Sequence, residues 1–186
     1  MERMARIAPE QMSPEQRQIW QDIVAERGSP QGPFNVWLRS PELASRAQRL
    51  GAQVRLHSSL PPRLSELAIL INARRWNCQT EWTLHEPFAR QAGLDSELIQ
   101  AINQRQPPVF ARQDEAAVYD FCSQAVGQGF VSDEIYARCR DLLGETALVD
   151  LVGVLGYYCL VALSLNVFQV ALPEDRPPRL SDAPVF

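Results

Sequence analysis

The chain has no Cys-x-x-Cys pair: its four cysteines stand apart at positions 78, 122, 139 and 159. That spacing excludes the ordinary paired-thiol redox motif and suits free thiols in a reducing compartment. No run of basic residues occurs, and the net charge is -4, so the chain lacks the basic face that general nucleic-acid binding requires. There is no phosphate-cradling glycine loop, no His-Glu-x-x-His zinc motif and no Gly-x-Ser-x-Gly elbow. With histidines only at 57 and 85, a His-rich metal centre is excluded, and we expect no metal and no cofactor. The N-terminal MERMARIAPEQM lacks the apolar core of a secretory leader, which points to the cytoplasm. No stretch alternates apolar and polar residues as a half-buried strand would.

What remains is a globular composition, 46% hydrophobic and 22% charged, in 186 residues, enough for one domain with a real core. The 14 prolines punctuate rather than disorder. Ser13 followed by Pro14 and Glu15 predicts a helix start, and residues 28–41 form a loop holding two large rings, Phe34 and Trp37. Helices are predicted from Pro41 to about Leu56 and after Pro61-Pro62. Asn77 is expected to cap the next, with a kink or break at Pro87. Further helices start at Asp95, Asp114 and Ser132. Residues 151–172 carry no charge and could span a bilayer by length. Asn166, Gln169 and the acidic flanks argue instead for a core or subunit-interface helix with no membrane. The expectation is an all-α bundle of seven or eight helices forming a single domain over 1–186. Its core lies at 40–125, an N-terminal helix and arm at 1–39, and C-terminal helices and a tail at 126–186.

The chemistry concentrates in NCQTEWTLHE. On a helix, Cys78, Glu81, Trp82 and His85 share one face, being three, four and seven residues apart. His85 can exchange a proton near neutral pH, and a neighbouring carboxylate would orient it. Glu66, in the preceding helix, reaches the same face if the two helices pair antiparallel. Cys78 in a first turn would have its thiolate favoured by the helix dipole and opposed by Glu81. A thiol site, an acid/base site and an ordinary packed helix all fit these residues. Cys78, Glu81 and His85 could in principle hold zinc, but the set is poor for it.

The spacing of Glu66, Cys78, position 81 and His85, with the core EWTLH, resembles the signature of the carboxymuconolactone decarboxylase and alkylhydroperoxidase D superfamily, in its Glu-Trp-x-x-His branch. The motif covers residues 66–94, and the helical pattern extends the likeness over about 40–125. The resemblance implies an all-α fold of the alkylhydroperoxidase D type and a homo-oligomer acting on a small molecule. It also implies catalytic roles for His85, Glu66, Cys78 and Glu81. Trp82, Phe34, Trp37 and Arg74 are the candidates for binding substrate. Peroxidase members use a Cys-x-x-Cys pair, and here Glu81 occupies the place of the second cysteine. A carboxylate cannot resolve a sulfenic acid into a disulfide. The departure therefore favours cofactor-free, decarboxylase-like acid/base chemistry on a small lactone or carboxylic acid. A one-cysteine thiol peroxidase using Cys78 and a non-catalytic oligomeric binding protein are the alternatives.

Overall fold

A computed structural model describes residues 2–28 and 32–186. Among them are nine α-helices: α1 (Pro14–Arg27), α2 (Phe34–Trp37), α3 (Pro41–Leu56), α4 (Pro62–Arg75), α5 (Gln79–Gln91), α6 (Ser96–Asn103), α7 (Gln113–Gln128), α8 (Asp133–Leu143) and α9 (Glu145–Val167). No strand occurs among the described residues. The all-α expectation holds. The extra helix is α2, a single turn inside what the sequence predicts as an aromatic loop.

Local chemistry sets most boundaries. Ser13 accepts from the Gln16 N–H while the Gln16 side chain accepts from the Ser13 N–H, a reciprocal capping box. Asp95 and Ser132 cap α6 and α8 by accepting from first-turn N–H groups, without the reciprocal bond. At the end of α4 the expected cap shifts by one residue. Asn77 adopts a left-handed backbone, φ 48°, and the N–H groups of Asn77 and Cys78 reach back to the Arg74 and Ala73 carbonyls. Asn77 thus ends α4 in a Schellman turn, and Cys78 becomes the N-cap of α5. Pro87 does not break α5, which continues to Gln91.

The helix predicted after Pro61-Pro62 is α4. In the fold every residue from Leu64 to Arg74 is buried, because α4 is the central helix, packed against α5, α6, α7 and α9. The charge-free helix behaves in the opposite way. It is α9, and it begins at Glu145, earlier than its uncharged stretch. It buries Leu148, Leu151, Val154, Leu155, Tyr158, Ala162 and Leu165, packing on α3, α4, α5 and α8. A Cβ on Gly153 would stand 3.2 Å from a Val54 methyl, so glycine permits the close approach of α3. The other face leaves Val149, Val152, Gly156, Leu163 and Val167 exposed. By length and composition α9 could cross a membrane, yet 56% of its apolar window is buried within the protein.

Both chain ends fold back onto the bundle. Residue Arg3 donates to the carbonyls of Val167 and Phe168, and Arg39 donates to Ala5. The tail after α9 is pinned near Leu180, which is buried. Its N–H donates to Gln79, and Asn103 bonds both Arg179 and Ser181. Arg74 completes this anchor, donating to the Asn103 and Ser181 carbonyls at 2.9 and 2.7 Å and to the Asn77 side chain at 2.5 Å. Charged hydrogen bonds are worth roughly 1.5–3 kcal/mol, and orphaned buried carbonyls add to the loss. Arg74→Ala is expected to lower stability by about 3 kcal/mol and to make the tail protease-sensitive. Urea unfolding and limited proteolysis would test this; unchanged values on both would refute the anchor.

Candidate functional site

The link between α4 and α5 is three residues long, Trp76–Cys78, which forces the helices into an antiparallel hairpin. Residues at similar distances from that turn therefore meet. Glu66 and His85 are such a pair: the imidazole Nδ1 lies 2.8 Å from a Glu66 carboxylate oxygen, both groups buried. Asn72 and Glu81 are the second pair, the amide donating to Glu81 Oε1 at 3.0 Å. The polar residues of an otherwise apolar hairpin satisfy one another in two steps.

Glu66 fixes the imidazole. With Nδ1–H donated to the carboxylate, Nε2 is left as the free acceptor, and it has no protein partner among the described residues. His85 also packs edge-on against Tyr158, ring centroids 5.0 Å apart. A cavity of about 500 Å³ opens beside it, within the range typical of small-molecule sites. His85 and Glu81 line it, with Phe34, Arg55, Phe88 and Tyr158. A larger neighbouring space of about 790 Å³, lined by Met4, Trp20, Val36, Thr80 and Leu84 among others, does not contain His85.

Glu81 is 1% exposed. Burial pushes its carboxyl well above the usual glutamate range, the Asn72 hydrogen bond opposes this, and the charge of Glu66 adds to the rise. Oε1 accepts from Asn72, whereas Oε2 is buried with no partner. A neutral acid with its proton on Oε2 fits that environment, since a bare buried carboxylate would be costly. Burial likewise holds the Tyr158 phenol protonated, well above the ordinary tyrosine range. The site thus combines a base held by a carboxylate, a neutral carboxylic acid and a phenol.

Of the sequence candidates, His85, Glu66, Glu81 and Phe34 meet at or beside this cavity. Cys78 does not line it. It is completely buried at the N-cap, one residue before the helix proper, and burial raises its thiol well above the ordinary range. Trp82 is a fully buried core residue. Trp37 donates to Ser164 at 2.8 Å and packs against Phe34 and Tyr157, making it a brace behind the cavity wall. Arg74 belongs to the tail anchor and to a different surface hollow, with Arg75 and Arg105. The structure sets it apart from the His85 cavity, with its two terminal nitrogens bonded to the Asn103 and Ser181 carbonyls and to Asn77.

Arg55, Asn72, Phe88 and Tyr158 are absent from the sequence candidates. Asn72 alone leaves a trace there, as an amide inside a run of core residues. Behind it, Cys159 donates to Asn72 Oδ1 at 3.1 Å and accepts from Trp76 Nε1 at 3.4 Å, fixing which end of the amide faces Glu81. No group of three or more His, Cys, Asp or Glu side chains among the described residues could hold a metal ion.

No protein-family model matches the chain, and no curated protein matches it. Solved structures do. One is a protein of unknown function from Agrobacterium tumefaciens with the provisional description antioxidant defence protein AhpD. It matches with a TM-score of 0.66 at 18% identity over 78% of this chain and 100% of that one. The debrominase Bmp8 matches with a TM-score of 0.69 at 12% identity over 87% of each chain. It does so without ligand and, at the same values, as a cysteine-to-alanine variant in complex with 2,3,4-tribromopyrrole. The chain has the all-helical fold of the carboxymuconolactone decarboxylase and AhpD-like proteins.

Proposed function

We propose that the protein is a cofactor-free acid/base enzyme of the decarboxylase-like kind, acting on a small lactone or related carboxylic acid. The observation that carries this reading is the buried 2.8 Å contact between His85 and Glu66 beside a cavity that Glu81 also lines. His85 Nε2 takes a proton from a bound molecule or, as imidazolium stabilised by Glu66, returns one to carbon. In a decarboxylation the bond to the carboxylate breaks and its electron pair moves into the lactone carbonyl. Carbon dioxide leaves, and the His85 proton ends on carbon. Glu81, uncharged, supplies an O–H for the oxygen on which negative charge develops. The tribromopyrrole complex of Bmp8 supports a small ring as the size of ligand that this fold accepts.

The test is incubation in deuterium oxide with a panel of small lactone acids, followed by proton NMR for exchange at carbon and by bicarbonate detection. Exchange or carbon dioxide release that disappears in His85→Gln supports the reading. A panel member that binds and stays unchanged would leave only a binding protein. Cys78 has neither cavity exposure nor a low thiol pKa to recommend it as a peroxidatic residue. Thiol-dependent consumption of an organic hydroperoxide that Cys78→Ser abolishes would reverse that judgement.

Self-association is part of the proposal. The exposed α9 residues Val149, Val152, Gly156, Leu163 and Val167 stand three, four, seven and four residues apart, on one helix face with a glycine at the centre. A second copy of the same helix can pack into such a stripe. Four free cysteines suit the cytoplasm as the expected compartment. Val152→Asp would place a charge in the contact and is expected to raise the self-dissociation constant at least about 100-fold. Light scattering across micromolar concentrations checks this, and a wild-type chain that stays monomeric there would refute it.

A further inference from the structure

We propose that Arg55 is the specificity determinant of the His85 cavity, and that the cavity selects molecules with a carboxylate on a ring-sized apolar body. This inference deepens the acid/base reading and rests on its choice of cavity.

All 18 basic side chains are arginine, and among the described residues nearly every guanidinium is occupied. Arg63 grips Asp114 and Glu115, Arg90 holds Glu86, and Arg74 is spent on the tail. Arg75 donates to a helix carbonyl. Arg55 is the exception: among the described residues it has neither an ion pair nor a hydrogen bond. It stacks instead on the ring of Phe88, 4.8 Å from the guanidinium carbon to the centroid. Stacking on an aromatic face fixes the plane of a guanidinium without using its N–H donors. Those donors are left for a ligand.

Position and surroundings point the same way. Arg55 sits in the last turn of α3, half-buried, in the wall that also holds His85. The other charged groups lining that wall are Glu26, which is exposed, and Arg176, which lies 3.9 Å from Asp175. Glu81, the remaining carboxyl of the lining, is 1% exposed, bonded to Asn72 rather than to Arg55, and pushed by burial toward its neutral form. The same cavity is also lined by Leu84, Phe88, Tyr157, Tyr158 and Val161. A planar fork on an apolar chamber of about 500 Å³ matches a carboxylate bidentately and its ring by contact. Held at that end, the ring would have its register against His85 Nε2 set by one residue.

The experiment uses the intact protein and isothermal titration calorimetry with phenylacetate and its uncharged match, phenylacetamide. The acid is expected to bind at least tenfold more tightly than the amide. Arg55→Gln should weaken the acid tenfold to a hundredfold and leave the amide unchanged, and Arg55→Lys should keep part of the preference. His85→Gln, which removes the proton carrier, should retain the preference for acid over amide. No turnover is required, so anion selection can hold while the acid/base reading fails, or the reverse. Equal affinity for acid and amide would overturn the proposal. So would an unchanged acid affinity in a folded Arg55→Gln protein, a preference that Arg176→Gln abolishes instead, or no carboxylate binding at all.

Discussion

His85→Gln is expected to lower turnover of any substrate by about 10² to 10⁴, the usual worth of a positioned general acid or base, with little change in melting temperature. Glutamine is the informative substitution. Its amide can still donate to Glu66, so the buried carboxylate at 2.8 Å from His85 is not stranded. Alanine would mix the loss of chemistry with the cost of an unpaired buried charge. The matching variant is Cys78→Ser. Cys78 caps α5 without a side-chain hydrogen bond, and serine is a preferred N-cap residue, so the variant should fold and keep most of its activity. Rates of deuterium exchange or carbon dioxide release, measured beside thermal melts, give both answers. A dead Cys78→Ser enzyme with an active His85→Gln enzyme would reverse the roles assigned to the two residues.

Why is this couple legible in the amino-acid sequence? Glu66 and His85, like Asn72 and Glu81, straddle the Trp76–Cys78 turn at similar distances, and an antiparallel hairpin brings similar distances together. Helical period and turn chemistry suffice for that inference. Arg55 and Tyr158 cannot be found in the same way. They come from α3 and α9, about a hundred residues apart, and their meeting depends on packing that leaves no local mark, including the contact at Gly153. Arg74 misleads for the converse reason. A cation beside a motif looks available until the tail, more than a hundred residues later, claims its donors. The sequence puts Cys78 in the first turn because Asn77 has the chemistry of a cap, and the left-handed Asn77 moves the helix start by one residue. The short α2 is hidden because one turn between prolines has no periodicity to read.

Glu81 makes the second large effect, a stability that declines as pH rises. The folded protein holds this carboxyl protonated well above the usual glutamate value of 4.5 because it is buried, whereas the unfolded chain releases the proton near that value. Above about pH 4.5 the native state therefore binds more protons than the unfolded one. Stability falls by up to about 1.4 kcal/mol for each pH unit until the folded group also ionises. Asp114 and Asp150 are shifted the other way, below the usual aspartate value of 3.8. Their stabilisation is lost only on acidification through that range and is constant across the window in question. Urea unfolding at pH 5, 6, 7 and 8 should show the decline in the wild type and a flatter profile in Glu81→Gln, whose side chain has no proton to lose. Identical slopes would mean that Glu81 is ionised in the folded protein. The same proton bears on catalysis. Once Glu81 is charged, the cavity that His85 lines carries a second carboxylate, and the O–H offered to a developing oxyanion is gone. Activity and stability should then fall together on the alkaline side, and Glu81→Gln should flatten the pH dependence of stability between pH 5 and 8 while weakening the reaction at every pH.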